Sequence, residues 1–332
     1  MTDTVVEGPF FDELVVGAEF STAPAVTLTS GLVATHQSIV GGRFRLALSQ
    51  TLSAAVTGDS RPLADPALVW DVAIGQSTLA THFVRANLYY RGLAFHRFPT
   101  VGDTLRTNAV VVALKENRRR EDRPATGLAA LRITTTDQDE RTVLDFVRCA
   151  MLPVRPGVAS TGQDDDVDAV AAPSAAPSVE LLLTGWRHSE YAASIPSSQS
   201  SYQAGDNWSI AAGDVVSSAP ELARLTGNVA RVHHDDFSGS RLVYGGHTIG
   251  LAMTQTLRCL PHLVSVLSWE GCDHIGPVHE GDTILSTVEL ERVHTVDGGW
   301  KLLDLRVRST ARSEPGGESV PVLDWRFTAI GA

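Results

Sequence analysis

Residues 225–247 bring together polar groups that could form a proton-transfer site: Asn228, His233, Tyr244 and His247, with Gly245 and Gly246 between the last two. Histidine titrates near neutrality, so it can take a proton and return it within one cycle. The asparagine amide is no base, but it can orient water through its donor and acceptor atoms. Ile249, Ala252, Met253, Thr256, Leu257 and Leu260 recur at helical spacing, which predicts a buried helix opening near the glycine pair. Unsatisfied N–H groups at a helix start suit a developing oxyanion, and glycine lets a bulky group approach the backbone. Adding water to a double bond conjugated with a thioester needs this kind of set. One group positions and deprotonates water, a donor protonates the α-carbon, and N–H groups hold the enolate oxygen. Since Asn228 carries no carboxylate, either His233 does the acid–base work while Asn228 orients water, or an acid elsewhere serves. Asp235 and Asp273 are the candidate acids, and His274 is a further pocket candidate. His233-His234-Asp235-Asp236 is not expected to bind metal, because neighbouring residues rarely converge on one ion without a third, spaced ligand.

The elements that must position these groups occur twice. Gly102-Asp103-Thr104 recurs as Gly281-Asp282-Thr283, and Val143-Leu144-Asp145-Phe146 as Val322-Leu323-Asp324-Trp325, both displaced by the same distance along the chain. Two separate motifs with one offset mark a duplication. Each copy continues as strand, polar tip and strand. The tips are Asn117 to Pro124 and Asp297-Gly298-Gly299, the latter good hairpin chemistry. Ahead of each meander lies one helix, in the first copy capped by Asp65-Pro66 with Leu68, Val69, Val72 and Ala73 as its apolar stripe. Ser218 and Glu221 fit a capping box for a short helix running to Gly227. Two helices, each wrapped by an antiparallel sheet, give an α+β double hotdog fold. The expected division is a first lobe over 1–155, a linker over 156–180 rich in Ala, Pro, Ser and Asp, and a second lobe over 181–332. Aligning Gly41 with Gly227 puts Gly42 at the place of Asn228 and Ala47 at that of His233. Neither can move a proton, so the first lobe is expected to shape a substrate tunnel.

Thr226-Gly227-Asn228 followed by His233 and Asp235 resembles the signature of MaoC-like hydratases, with Asn228 where that family has its catalytic Asp and His233 at the catalytic His. Ala230 and Arg231 depart from the family's Asn-Pro. The runs Asn228-Val229-Ala230-Arg231-Val232-His233 and Arg241-Leu242-Val243-Tyr244-Gly245-Gly246-His247 are similar to the mesaconyl-CoA hydratase (methylmalyl-CoA dehydratase) branch. Ala86-Asn87-Leu88-Tyr89-Tyr90 and Asp273-His274 agree with it. The resemblance covers most of the chain outside the linker. It implies a hydro-lyase acting reversibly on an enoyl-CoA, short, branched or dicarboxylic, with Arg231 and Arg241 as cations for a second carboxylate or a CoA phosphate. The alternative on this fold is an acyl-CoA-binding protein without hydratase activity, or a thioesterase.

Composition fits this picture. A net charge of −11 over 332 residues argues against nucleic acid as partner. The one dense basic run, Arg118 to Arg120, reads as a solvated hairpin tip. No apolar run approaches the ~18 residues of a membrane span, and Met1 to Glu7 lacks the features of a signal peptide. The odd count of three cysteines, Cys149, Cys259 and Cys272, reads as buried thiols in a cytoplasmic protein. No cofactor is expected beyond the CoA of the substrate, and a homodimer is compatible with the pattern.

Overall fold

A computed structural model describes residues 7–170, 176–196, 202–235 and 241–332. Within them the chain builds helices α1 (Ser30–Val40), α2 (Arg45–Leu48), α3 (Gln50–Thr57), α4 (Pro66–Gln76), α5 (Val179–Leu182), α6 (His188–Ala192), α7 (Ala219–Leu225) and α8 (Gly245–Cys259). The long strands of the first half are β3 (Ala86–Phe95), β4 (Thr104–Glu116), β5 (Thr126–Thr136) and β6 (Thr142–Pro153). Those of the second are β9 (Leu263–His274), β10 (Thr283–Thr295), β11 (Lys301–Arg312) and β12 (Val320–Gly331). Short β1 (Glu19–Phe20) and β2 (Val26–Thr27) border β4, and β7 (Asn207–Ser209) and β8 (Asp214–Val215) border β10.

The long strands form one antiparallel sheet in the order β4-β5-β6-β3-β9-β12-β11-β10, a sequence that reads alike from either end once the copies are equated. The lobes meet where β3 pairs β9, with Tyr90 opposite Cys272 and Leu93 opposite Trp269. Helix α4 is buried along its whole length, Asp71 and Gln76 included, and serves as the core of its lobe. The Asp65 side chain accepts from the Ala67 amide at 2.8 Å and Pro66 opens the helix, as the sequence predicts. Helix α8 begins at Gly245, the position that the repeat equates with Pro66 at the start of α4. Trp70 of α4 packs edge-on to Trp269 of β9 and Trp325 of β12, ring centres 5.0 and 6.0 Å away. Such buried aromatic pairs add to area burial and lock the lobes together.

The repeat holds down to single hydrogen bonds. Asp103 accepts from the Thr100 amide and Asp282 from that of His279, at 2.9 and 2.8 Å. Gln76 Nε2 donates to the Leu105 carbonyl, and Gln255 Nε2 to that of Ile284. Both hairpin tips form: Asn117 N–H donates to the Thr126 carbonyl, and Val296 N–H to that of Trp300 across Gly298 and Gly299.

Two expectations are corrected. Ser218 does not form a capping box, because its backbone is left-handed (φ 57°) and its side chain makes no cap bond. The Ala219 amide donates instead to Glu280 Oε1 at 3.3 Å, so the cap comes from the second lobe's Gly-Asp-Thr corner. Nor is 156–180 simply a free linker. Glu116 N–H donates to the Gln163 carbonyl and Asp165 N–H to that of Leu114, and Val167 is buried beside Tyr89 and Cys149. Residues 171–175 of that segment, and Asp236, lie outside the described residues.

Candidate active site

A cavity of about 260 Å³ lies between the lobes, and the end of α7 leads the chain into it. Helix α7 ends at Leu225, and its last turn rests on α4, where a Cβ on Gly75 would sit 2.2 Å from the Thr226 carbonyl oxygen. Past that contact, Thr78 Oγ1 accepts from the Val229 amide at 2.9 Å, and the His82 carbonyl accepts from the Arg231 amide. The loop from 226 to 233 is thus held by the first lobe, although its own motif belongs to the second. The mirror contact exists too: Thr254 Oγ1 of α8 donates to the Val40 carbonyl at the end of α1.

Asn228 and His233 both line the cavity. Asn228 is buried; its Oδ1 accepts from the Ala230 amide at 2.9 Å, while Nδ2 has no partner among the described residues. His233 Nδ1 stands 2.9 Å from the Leu242 carbonyl, an acceptor only, so Nδ1 carries the proton and Nε2 is left as the basic nitrogen. Burial pushes the imidazole pKa down to about 4, so the ring is neutral at physiological pH.

Gly245 brings the start of α8 to the cavity wall, and no side chain caps that end. The ring of His274 lies against it, so that a Cβ on Gly245 would stand 2.6 Å from His274 Nε2. This Nε2 is buried without a partner among the described residues, and desolvation holds the His274 pKa at about 4. Tyr244 lines the cavity with its ring, while its hydroxyl donates to the Asp71 carbonyl at 3.0 Å.

The remaining sequence candidates fall elsewhere. Gly246 is not in the lining; it faces the Asp71 carboxylate and the Tyr244 ring. His247 is buried on the other side of α8, away from the cavity, and neither ring nitrogen has a partner among the described residues. Asp235 is half-buried and ion-paired with Arg231 at 3.0 Å, and Asp273 with Arg91 at 2.6 Å. Neither acid lines the cavity, whose wall holds no carboxylate at all among the described residues. Arg241 pairs with Glu280, and neither it nor Arg231 reaches the lining.

Sequence reasoning missed Arg148. It lies on β6 and lines the cavity from the first lobe, wholly buried, donating through Nη2 to the Ser77 carbonyl (3.1 Å) and to Thr81 Oγ1 (2.6 Å). The signal was a lone charge inside the apolar run Val147-Arg148-Cys149-Ala150, where the second copy has Phe327.

No family model matches the chain. Among curated proteins it is 28% identical over 330 residues to beta-methylmalyl-CoA dehydratase of Chloroflexus aurantiacus, covering 96% of this chain and 92% of that one. It is 27% identical over 311 residues to mesaconyl-CoA hydratase of Cereibacter sphaeroides, covering 90% and 88%. Among solved structures, RV0216 of Mycobacterium tuberculosis, a conserved hypothetical protein with a double hotdog fold, superposes with a TM-score of 0.91. Identity there is 50%, over 98% of this chain and 99% of that one. A MaoC domain dehydratase of Chloroflexus aurantiacus shares the fold at a TM-score of 0.81 and 24% identity, covering 99% of both chains. With half its residues shared with a double hotdog protein along almost the whole length, and with the duplication visible bond by bond, the chain belongs to the double hotdog family.

Proposed function

We propose that the protein is a hydro-lyase that adds water reversibly across the double bond of an enoyl-CoA thioester. The observation that carries this is that a neutral, tautomer-fixed His233 and an Asn228 Nδ2 without a partner line one cavity whose wall has no carboxylate among the described residues. The two curated relatives, a beta-methylmalyl-CoA dehydratase and a mesaconyl-CoA hydratase, support the same reaction class. In the hydration direction Asn228 Nδ2 donates to the water oxygen and His233 Nε2 takes one of its protons. The oxygen bonds to Cβ, and the C=C electron pair moves toward the thioester, whose oxygen is held by the N–H of Gly245 at the start of α8. The imidazolium of His233 then returns the proton to Cα, so one H and one OH are added and the enzyme is regenerated. The dehydration runs the same steps backwards.

A panel of trans-2-enoyl-CoA substrates tests this through the loss of conjugated thioester absorbance. The expected result is hydration without release of free thiol. Thiol release with no hydrated product would replace the hydro-lyase with a thioesterase, and binding without either would leave a thioester-binding protein.

A further inference from the structure

His274 is an imidazole of the cavity wall that the hydration steps leave idle. Its Nε2 is buried without a hydrogen-bond partner among the described residues, a state that costs free energy until a ligand atom meets it. Tyr90 meets the ring edge-on, 5.8 Å between centres, and helps to fix its plane. A Cβ on Gly245 would stand 2.6 Å from Nε2, and Cβ and the amide nitrogen hang from the same Cα. One oxygen in the cavity can therefore reach both Nε2 and the N–H of Gly245 at the start of α8.

The fold does not require a histidine here. The repeat that equates Pro66 with Gly245 equates Phe95 with His274, and each residue closes the first long strand of its lobe, β3 and β9. Phe95 is fully buried and packs on Phe98, ring centres 5.6 Å apart. One copy thus fills the corner with an apolar ring. The copy that carries Asn228 and His233 fills it with a polar ring of similar size.

From this geometry we infer that His274 donates Nε2–H to the thioester oxygen and completes, with the N–H of Gly245, a two-donor oxyanion hole for the hydratase proposed above. As the C=C pair moves onto the oxygen the proton stays on Nε2, so the ring stabilises the enolate without protonating it. A neutral imidazole suits that part, because it is too weak an acid to hand its proton over. Burial keeps the ring neutral, with its pKa pushed down to about 4, and a helix start disfavours a cation beside it. The oxygen is fully charged only after the C–O bond begins to form, so His274 acts on kcat more than on binding.

The inference rests on the hydratase reading, so its test has an arm that needs no turnover. Butyryl-CoA, saturated and isotope-labelled at the thioester carbonyl, is bound to wild type, His274→Phe and His274→Gln, and its carbonyl stretch is read by infrared difference spectroscopy. Phenylalanine copies the first lobe, and glutamine returns a donor on a flexible side chain. Binding to wild type is expected to lower the stretch, the phenylalanine variant to lose most of that shift, and the glutamine variant to fall between. In the turnover arm, His274→Phe is expected to lower kcat on trans-2-enoyl-CoA by about 10²–10³-fold, the effect of one oxyanion donor, with KM nearly unchanged. His274→Ala carries both arms if the phenylalanine variant does not fold. A shift that is absent from wild type, or that survives loss of the imidazole, overturns the inference. So does a kcat within a few-fold of wild type, or a loss confined to KM. A shift that His274→Phe removes, in a protein that hydrates no enoyl-CoA, keeps His274 as the donor and removes the hydratase instead.

Discussion

His233 is held in one tautomer by one hydrogen bond and kept neutral by a dry environment. The Leu242 carbonyl accepts the hydrogen bond of Nδ1–H, and burial keeps the ring neutral with a pKa of about 4. Replacing it with alanine is expected to lower kcat by about 10²–10⁴-fold, the usual share of positioned proton transfer, with CoA-thioester affinity retained. Turnover within a few-fold of wild type would remove His233 from the reaction. Asn228 separates two roles. In Asn228→Ala the water loses its donor, so kcat should fall more than affinity. In Asn228→Asp a carboxylate beside the imidazole favours the charged ring and raises its pKa. The acidic limb of the kcat/KM profile, expected near pH 4 in wild type, should then move toward neutrality. Identical profiles for all three proteins would make Asn228 only a residue at a helix end. The sequence displayed His233 and Asn228 because they lie in one short motif. It concealed Arg148, in the other copy of the repeat, because the partner that makes its charge meaningful is the cavity itself.

At the scale of elements, the candidate site is placed by helix ends that touch the opposite lobe. Helix α7 stops on Gly75 of α4, and α1 stops on Thr254 of α8, so each central helix receives the other copy's leading segment. Periodicity and the shared offset made the helices and meanders legible, since both are local patterns. The crossing of segments was not legible, because it depends on which lobe each loop leans against. The same holds for Ser218, whose expected cap is replaced by Glu280 from a distant corner of the chain. Two glycines test the placement. Gly245→Ala would drive a methyl into the His274 ring at 2.6 Å, so turnover should drop by ~10-fold or more while the helix, which tolerates alanine well, stays folded. Gly75→Ala meets backbone, the Thr226 carbonyl oxygen at 2.2 Å, which cannot rotate away. It should destabilise the protein by about 1–3 kcal/mol, as overpacking does, and displace Asn228 as well. Urea unfolding and kcat for each variant check the pair; a Gly245→Ala enzyme of unchanged turnover would free the start of α8 from the mechanism.

For the whole molecule, the interior that makes the imidazoles useful also makes the fold sensitive to acid. Desolvation pushes the pKa values of His233, His247, His262 and His274 down to about 4. In the unfolded chain each titrates near 6.5. Between those values the unfolded state binds protons that the native state refuses, so stability is complete above about pH 6.5 and is lost as pH falls toward 4. The slope is on the order of 1 kcal/mol per histidine for each pH unit. Asp65 and Asp71 act in the opposite sense, because burial raises their pKa values and protonation relieves the native state. The two effects are separable at His247, which lies outside the cavity with neither ring nitrogen partnered among the described residues. The equivalent position in the other central helix holds Leu68, also fully buried, so His247→Leu copies a packing solution the protein already uses. The variant is expected to be at least as stable as wild type at neutral pH. As the pH is lowered from about 6.5 to about 5, its urea midpoint should fall less steeply, by the equivalent of one proton. Parallel wild-type and variant midpoints across that range would mean that His247 takes no part in the acid sensitivity. A wild-type midpoint that does not move between neutral and acidic buffer, with the variant midpoint rising, would mean that Asp65 and Asp71 offset the imidazoles.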